Sequence, residues 1–197
     1  MKTPKNAKLI AGGERFQIWS WSHAFDDGTK GTYERVKRRP TVEVVALQKD
    51  RVVVIRETQP YKGSFLSFPG GTLDWKEDAL HGAKRELLEE TGMTSSNWEK
   101  LTTLNPWNSL DWDLHVFIAR GCTSTNRQNL DPGEDIKFEL FDYDDFRESV
   151  FDKTRREGPF LTSLLRIMHD DKKAKDFQRF LFEGKEPHWL REYLPLD

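Results

Sequence analysis

Between residues 78 and 91 the apolar positions Leu80, Ala83, Leu87 and Leu88 recur at three-to-four spacing, the stripe of a helix that buries one face. Gly92 follows where a helix favours a left-handed stop. Elsewhere the period drops to two. Residues 14–23 alternate, with Phe16, Ile18 and Ser20 on one face and Trp19 and Trp21 on the other, and read as a strand. Asp26-Asp27-Gly28 is hairpin chemistry, and residues 30–37 read as the returning strand. Residues 41–48 and 51–58, joined by Lys49-Asp50, are so continuously β-branched that both faces read as buried. That places them mid-sheet in a mixed sheet with helices on each side. Residues 65–68, 98–105, 112–120 and 136–141 read as further strands.

Helices are expected over residues 143–150, with Asp142 as N-cap, and from Gly158-Pro159 to Met168. The charge run 170–175 reads as a solvated turn, followed by one or two helical turns over residues 176–182. Residues 1–13 read as a weakly ordered entry. The last fourteen residues, GKEPHWLREYLPLD, are too apolar to hang free and are expected to dock on the domain or on a partner subunit.

Composition narrows the function classes. With 31 basic against 33 acidic residues the net charge is −2, which argues against a general nucleic-acid or membrane binder. The single cysteine, Cys122, excludes an internal disulfide and fits a reducing compartment. No apolar run is long enough to span a bilayer, and the opening MKTPKNAK lacks the apolar core of a secretory signal. A cytoplasmic location is the expectation.

The helix at residues 78–91 carries the candidate chemistry. Glu86, Glu89 and Glu90 stand at i, i+3 and i+4, so their carboxylates share one face. Such like-charge pairs cost roughly 0.2–0.5 kcal/mol each. A hard divalent cation reverses the sign, since carboxylates are its preferred ligands. A solvated acidic face is the alternative. Arg85 lies inside the cluster, Glu77 lies eight residues earlier, and Phe68-Pro69-Gly70-Gly71 forms a stiff bend able to turn a backbone carbonyl toward the helix.

Gly71, Glu77, Arg85, Glu86, Leu87, Glu89, Glu90, Gly92 and Met93 resemble the Nudix box at every specified position. The resemblance implies an α/β (α+β) fold, a Nudix-type α/β/α sandwich with a mixed sheet plus a small N-terminal antiparallel β lobe. The expected boundaries are 1–39 for the lobe, 40–170 for the catalytic domain and 171–197 for a C-terminal helical extension. It implies hydrolysis of a nucleoside diphosphate linked to a second moiety, with Mg2+ or Mn2+ as cofactor. Glu86 and Glu90 would be the central ligands, Glu89 would share, and the Gly70 carbonyl would add an oxygen. Glu77 and Arg85 would orient the helix through a salt bridge.

The resemblance extends to ADP-sugar diphosphatases, where a late acidic loop activates water. Glu134 is the candidate, with Asp131, Asp135 and Glu139 behind it; an exposed Asp131-Pro132-Gly133 turn is the alternative. Arg56 or Lys62 would hold substrate. Trp19 and Trp21 would form a platform for a base, or else core or a subunit interface. Pro106 with His115-Val116-Phe117-Ile118-Ala119 is similar to a pattern of these enzymes, and His115 itself reads as structural. Pro69-Gly70-Gly71 departs from their usual Pro-Ala-Gly, and Arg56-Glu57-Thr58-Gln59 from their Gln-Tyr-Arg. Both departures bear on the substrate and leave the metal site untouched.

The leading expectation is therefore a nucleoside-diphosphate-sugar diphosphatase, ADP-ribose favoured, acting as a homodimer with no nucleic-acid or membrane partner. A housecleaning nucleoside-triphosphate diphosphatase fits the Phe-Pro-Gly-Gly bend, but the 40 residues before Thr41 weigh against it. A non-catalytic nucleotide sensor would tend to lose box acids, and this chain keeps all of them.

Overall fold

A computed structural model describes residues 3–59, 63–105, 107–125, 127–130 and 133–196. Lys62, Pro106 and Asp131 lie outside the described residues. The chain opens with strands β1 (Lys8–Gly12), β2 (Phe16–Ala24), β3 (Lys30–Arg38), β4 (Thr41–Gln48), β5 (Arg51–Gln59) and β6 (Gly63–Ser67). Helix α1 (Ala79–Thr91) follows, then β7 (Met93–Thr94), β8 (Asn97–Leu104), β9 (Leu110–Asp111), β10 (Leu114–Arg120), β11 (Thr123–Ser124) and β12 (Asp135–Phe141). The chain ends in helices α2 (Tyr143–Ser149), α3 (Pro159–Met168), α4 (Asp171–Glu183) and α5 (Leu190–Tyr193).

The main sheet runs β12-β5-β4-β10-β8, with β6 also paired to β5. It is mixed, because β10 lies parallel to β4 while the neighbouring pairs are antiparallel. Pleating sends alternate residues to opposite faces. Val42, Val44 and Ala46 of β4, with Val53 of β5, pack beneath Ala83 and Leu87 of α1. Val45 and Leu47, with Val52 and Val54, pack against Phe146, Phe160, Leu164, Phe177 and Phe180 of the later helices. A sheet covered on both faces needs no polar alternation, which is why β4 and β5 read as unbroken apolar runs. The result is the expected α+β sandwich with a mixed sheet.

The N-terminal strands form a separate antiparallel sheet, β1-β2-β3, which β9 joins along β3 in parallel. Its hairpin is closed by Asp27, whose carboxylate accepts from the Thr29 amide at 2.9 Å and hydroxyl at 2.6 Å. The weakly ordered entry expected over residues 1–13 is corrected here. Residues 8–12 pair with β2, and because all five are exposed they carry no burial pattern to read.

A second correction concerns the charge run at 170–175. Asp170 caps α4, accepting from the Lys172 and Lys173 amides at 2.9 and 3.0 Å. The run is the solvated side of a 13-residue helix whose other side buries Ala174, Phe177, Phe180 and Leu181. The C-terminal stretch docks on its own domain. Trp189, Leu190 and Leu194 join the helix-side core, and the Thr102 hydroxyl donates to the Pro195 carbonyl at 2.6 Å. Among the described residues no helix is long and apolar enough to cross a membrane.

Leu190 is fully buried, so Leu190→Ala removes methyl groups and leaves a cavity. Urea unfolding should show a loss of about 2–5 kcal/mol. A loss below about 1 kcal/mol would mean that the tail contributes little to the core.

Candidate active site

The site begins where the chain leaves β6. Residues Pro69 and Gly71 run along the half of β4 that β5 has left, accepting from the Val44 amide at 2.8 Å and the Val42 amide at 2.9 Å. Gly70, with φ 155°, lies so close to β4 that a Cβ there would meet the Val42 carbonyl oxygen at 2.1 Å. A Cβ on Gly71 would meet the Glu86 carboxylate at 2.4 Å. Any other residue at either position would push backbone from backbone or displace that carboxylate.

The bend also corrects the helix stripe. Glu90, not an apolar residue, lies at the α1–sheet interface and is 5% exposed. Its burial is offset by the Gly70 amide, which donates to Glu90 Oε2 at 2.7 Å. The bend was expected to present a carbonyl to the helix; the contact seen is from the amide.

Arg85 organises the other acids. Its Nε and Nη2 reach both oxygens of Glu77 at 3.0 and 3.1 Å, and its Nη1 donates to Glu86 and Glu89, each at 2.9 Å. Bidentate pairing of this kind is strong and fixes geometry. The hydrogen bonds from Arg85 hold the Glu77 carboxyl down to about 2. Burial pushes the Glu86 carboxyl up to about 7 against the pull of Arg85, with Glu89 and Glu134 adding repulsion. Burial also holds the Glu90 carboxyl well above the usual range, and Glu86, Glu57 and Glu134 reinforce it against the Gly70 amide.

Glu86, Glu90, Glu134 and Glu57 thus line one cleft of about 460 Å3 and repel one another across it. This oxygen-rich, mutually repelling donor set fits a hard divalent cation. Among the described residues, no three acids, histidines or cysteines converge tightly enough to hold one as they stand. In this arrangement Arg85 donates to Glu86 and Glu89, and the Gly70 amide donates to Glu90.

The cleft also holds arginines that the sequence reading missed, one of which, Arg156, lies 3.9 Å from Glu57. Arg15, Arg38 and Arg156 line the same cleft. Burial depresses the Arg38 guanidinium, and repulsion from Arg156 and Arg15 depresses it further. Neighbouring Arg39 is tied down instead, donating to the Leu73 carbonyl at 2.7 Å and pairing with Asp74. The one available signal was the doublet Arg38-Arg39 before Pro40, at the end of an expected strand.

Several nominated residues stand elsewhere. Arg56 pairs with Glu139 at 2.7 Å and borders a different hollow, beside Phe141 and Asp145. Strand parity is the reason: Glu57 and Gln59, not Arg56, point into the acidic cleft. Trp19 and Trp21 lie in the N-terminal sheet, Trp19 donating to Gln17 at 3.1 Å and Trp21 stacked on Tyr33 at 5.8 Å. Neither borders the cleft, nor does Asp135, the first residue of β12. His115 meets the Thr103 hydroxyl at 3.0 Å within the β8–β10 pair.

The raised Glu86 value makes a stability prediction. Its unfolded value is near 4.5, so the folded state holds the extra proton between about 4.5 and 7. Folding is therefore favoured at low pH in this window and loses that contribution as pH rises through about 7. In metal-free buffer at pH 8, Glu86→Gln should raise stability by on the order of 2 kcal/mol, allowing for the weakened Arg85 contact. At pH 5 the variant and parent should converge. Chemical denaturation at the two pH values reads this out. A variant less stable than the parent at pH 8 would mean that the Arg85 contact outweighs burial.

A family model described as NUDIX domain matches residues 37–164. The chain is 30% identical over 112 residues to a methanol dehydrogenase activator of Bacillus methanolicus, covering 55% of this chain and 60% of that protein. It is 26% identical over 113 residues to an ADP-ribose pyrophosphatase of Bacillus subtilis (strain 168), covering 56% and 61%. Over 91 residues it is 31% identical to a CMP-5'-(N-acetyl-N-hydroxy-3-aminopropyl)phosphonate hydrolase of Streptomyces rubellomurinus, covering 43% of each. The matches thus span about three-fifths or less of these relatives' own length. A solved ADP compounds hydrolase shares the fold with a TM-score of 0.67 at 22% identity, over 85% of this chain and 92% of that one. With the family model covering well over half of the sequence, and the box residues gathered around one cleft, this chain belongs to the Nudix family of hydrolases.

Proposed function

We propose that this Nudix hydrolase cleaves the diphosphate of a nucleoside-diphosphate sugar, ADP-ribose favoured, to a nucleoside monophosphate and a sugar phosphate. One observation carries the reading: a single cleft is lined both by carboxylates that repel one another, Glu86, Glu90 and Glu134, and by Arg15, Arg38 and Arg156, the last of them 3.9 Å from Glu57. A diphosphate with a bound divalent cation satisfies both groups at once. The Bacillus subtilis relative, an ADP-ribose pyrophosphatase, favours ADP-ribose as the substrate.

Glu86 and Glu90, with Glu89 and the Gly70 carbonyl, would hold Mg2+ or Mn2+. When bound, the cation offsets the negative charge of the phosphate oxygens. Arg38, Arg15 and Arg156 grip the diphosphate. Glu134 accepts the proton as a water oxygen attacks phosphorus and the bridging P–O bond breaks. The electron pair of that bond leaves on the departing phosphate. Arg85 and Glu77 touch no reacting atom and act by holding α1 in position. The exposed Leu9, Ile10, Phe16 and Ile18 on the N-terminal sheet support a homodimer through the lobe at residues 1–39, with catalytic and C-terminal parts at 40–170 and 171–197. The charge balance and lone Cys122 support a cytoplasmic setting.

The test is to incubate the protein, with Mg2+ or Mn2+, with ADP-ribose, ADP-glucose, GDP-mannose, NADH, diadenosine polyphosphates and nucleoside triphosphates. Products are identified by mass spectrometry. ADP-ribose should yield AMP and ribose 5-phosphate, chelation should stop turnover, and Glu90→Gln should lower kcat by about 100-fold or more. Turnover confined to triphosphates would overturn the substrate assignment. Full activity of Glu90→Gln would overturn the metal assignment.

A further inference from the structure

Next to the acidic cleft lies a smaller cavity of about 170 Å3 that shares Arg38, Gly70, Gly71, Thr72 and Arg156 with it. Its far side is aromatic. Trp112 is 7% exposed, and its indole N–H donates to the Thr41 hydroxyl at 3.1 Å, which fixes the ring. Trp107 stacks on it with centroids 5.2 Å apart and planes 12° from parallel. Trp107 itself remains 47% exposed and also borders a third hollow of about 670 Å3, formed with Leu104 and α3 residues. The Arg38 guanidinium lies 4.7 Å from the Trp112 ring centroid. A row of contacts therefore leads from Arg38 through a buried indole to an open one.

We propose that Trp107 is the shelf on which the nucleobase of the substrate stacks, with the adjoining phosphate held at Arg38. The proposal rests on the reading that the cleft takes a nucleoside diphosphate. A nucleoside 5'-phosphate has an anionic end and a planar end joined by one sugar. The site has an anion-binding guanidinium and an open aromatic face joined by one indole. Indole faces bind bases of any sequence because every base presents a π-surface. Trp107 leaves much of a large aromatic surface in water, and the Trp112 ring beneath it is buried and fixed by its bond to Thr41. Nothing in the box marks Trp107 for this role, and Trp19 and Trp21, the tryptophans nominated from the sequence, lie away from the cleft.

The experiment titrates AMP and ribose 5-phosphate, each with Mg2+, into the full chain and its Trp107→Ala and Trp107→Phe variants. Calorimetry and tryptophan fluorescence give the readouts. AMP should quench fluorescence of the parent, bind Trp107→Ala about tenfold or more weakly, and recover most of its affinity with Trp107→Phe. Ribose 5-phosphate should bind all three alike. The shelf is wrong if AMP fails to bind the parent, if it binds Trp107→Ala as tightly as the parent, or if both ligands weaken together. Hydrolysis separates this from the reaction itself. ADP-ribose turnover with an unchanged KM in Trp107→Ala removes the shelf and leaves the reaction. Trp107-dependent AMP binding without turnover of any nucleotide sugar removes the reaction and leaves the shelf.

Discussion

The hydrogen bond from the Gly70 amide to the Glu90 carboxylate is the contact on which the site depends. A carboxylate at a helix–sheet interface is costly without a donor, and here the donor is the backbone of a bend pressed against β4. That pressing is possible only with glycine at 70 and 71, since a Cβ would strike the Val42 carbonyl in one case and the Glu86 carboxylate in the other. The rotation of α1 follows. With Glu90 turned inward, Glu86 also lines the cleft, Glu89 is held by Arg85, and Arg85 reaches back to Glu77. Backbone approach, helix orientation and carboxylate placement are one arrangement.

Charge is distributed to leave the cleft unsatisfied while the scaffold is satisfied. Arg85 pairs with Glu77 and Glu89, and Arg39 fastens the loop at Leu73 and Asp74. Half-buried Glu86, despite its bond from Arg85, and buried Glu90 keep elevated proton affinity, and Arg38 sits beside two other arginines that depress it. Stability alone would not choose either grouping, since each raises the energy of the empty protein. On the proposed function both groupings would relax when a cation and an anion enter together. If the substrate is a diphosphate, as proposed, the cost to the fold and the use of the site have the same source.

The N-terminal sheet is part of the site and not an appendage. Strand β3 ends at Arg38, and its pairing with β9 is reinforced by the bond from Arg35 to the Asn108 carbonyl at 2.5 Å. The segment that carries Trp107 is thereby tied to the strand that delivers Arg38. The proposed anion grip and aromatic shelf would thus share one framework.

The sequence by itself determined what depends on local periodicity and spacing. It placed α1 between Asp78 and Gly92, the buried strands at 41–48 and 51–58, and the spaced residues of the box, because helix stripes, β-branched runs and caps are properties of neighbouring residues. It also brought Glu134 forward, through a resemblance that attaches function to an acidic loop ahead of a strand, and the structure puts that residue in the cleft. It misjudged Arg56, since strand parity toward a site is settled only when the sheet is assembled, and that parity selects Glu57 and Gln59. The edge strand β1 and the helix inside the 170–175 charge run escaped it, because one carries no burial pattern and the other shows its cap and charges before its apolar face. Only the tertiary structure decided that Arg15 and Arg38 from the N-terminal strands, and Arg156 from beyond β12, line one cleft with the box acids. It alone set Trp107 on Trp112 at the edge of that meeting. Long-range juxtaposition of this kind follows from sheet order and loop closure, and neither is written in the spacing of adjacent residues.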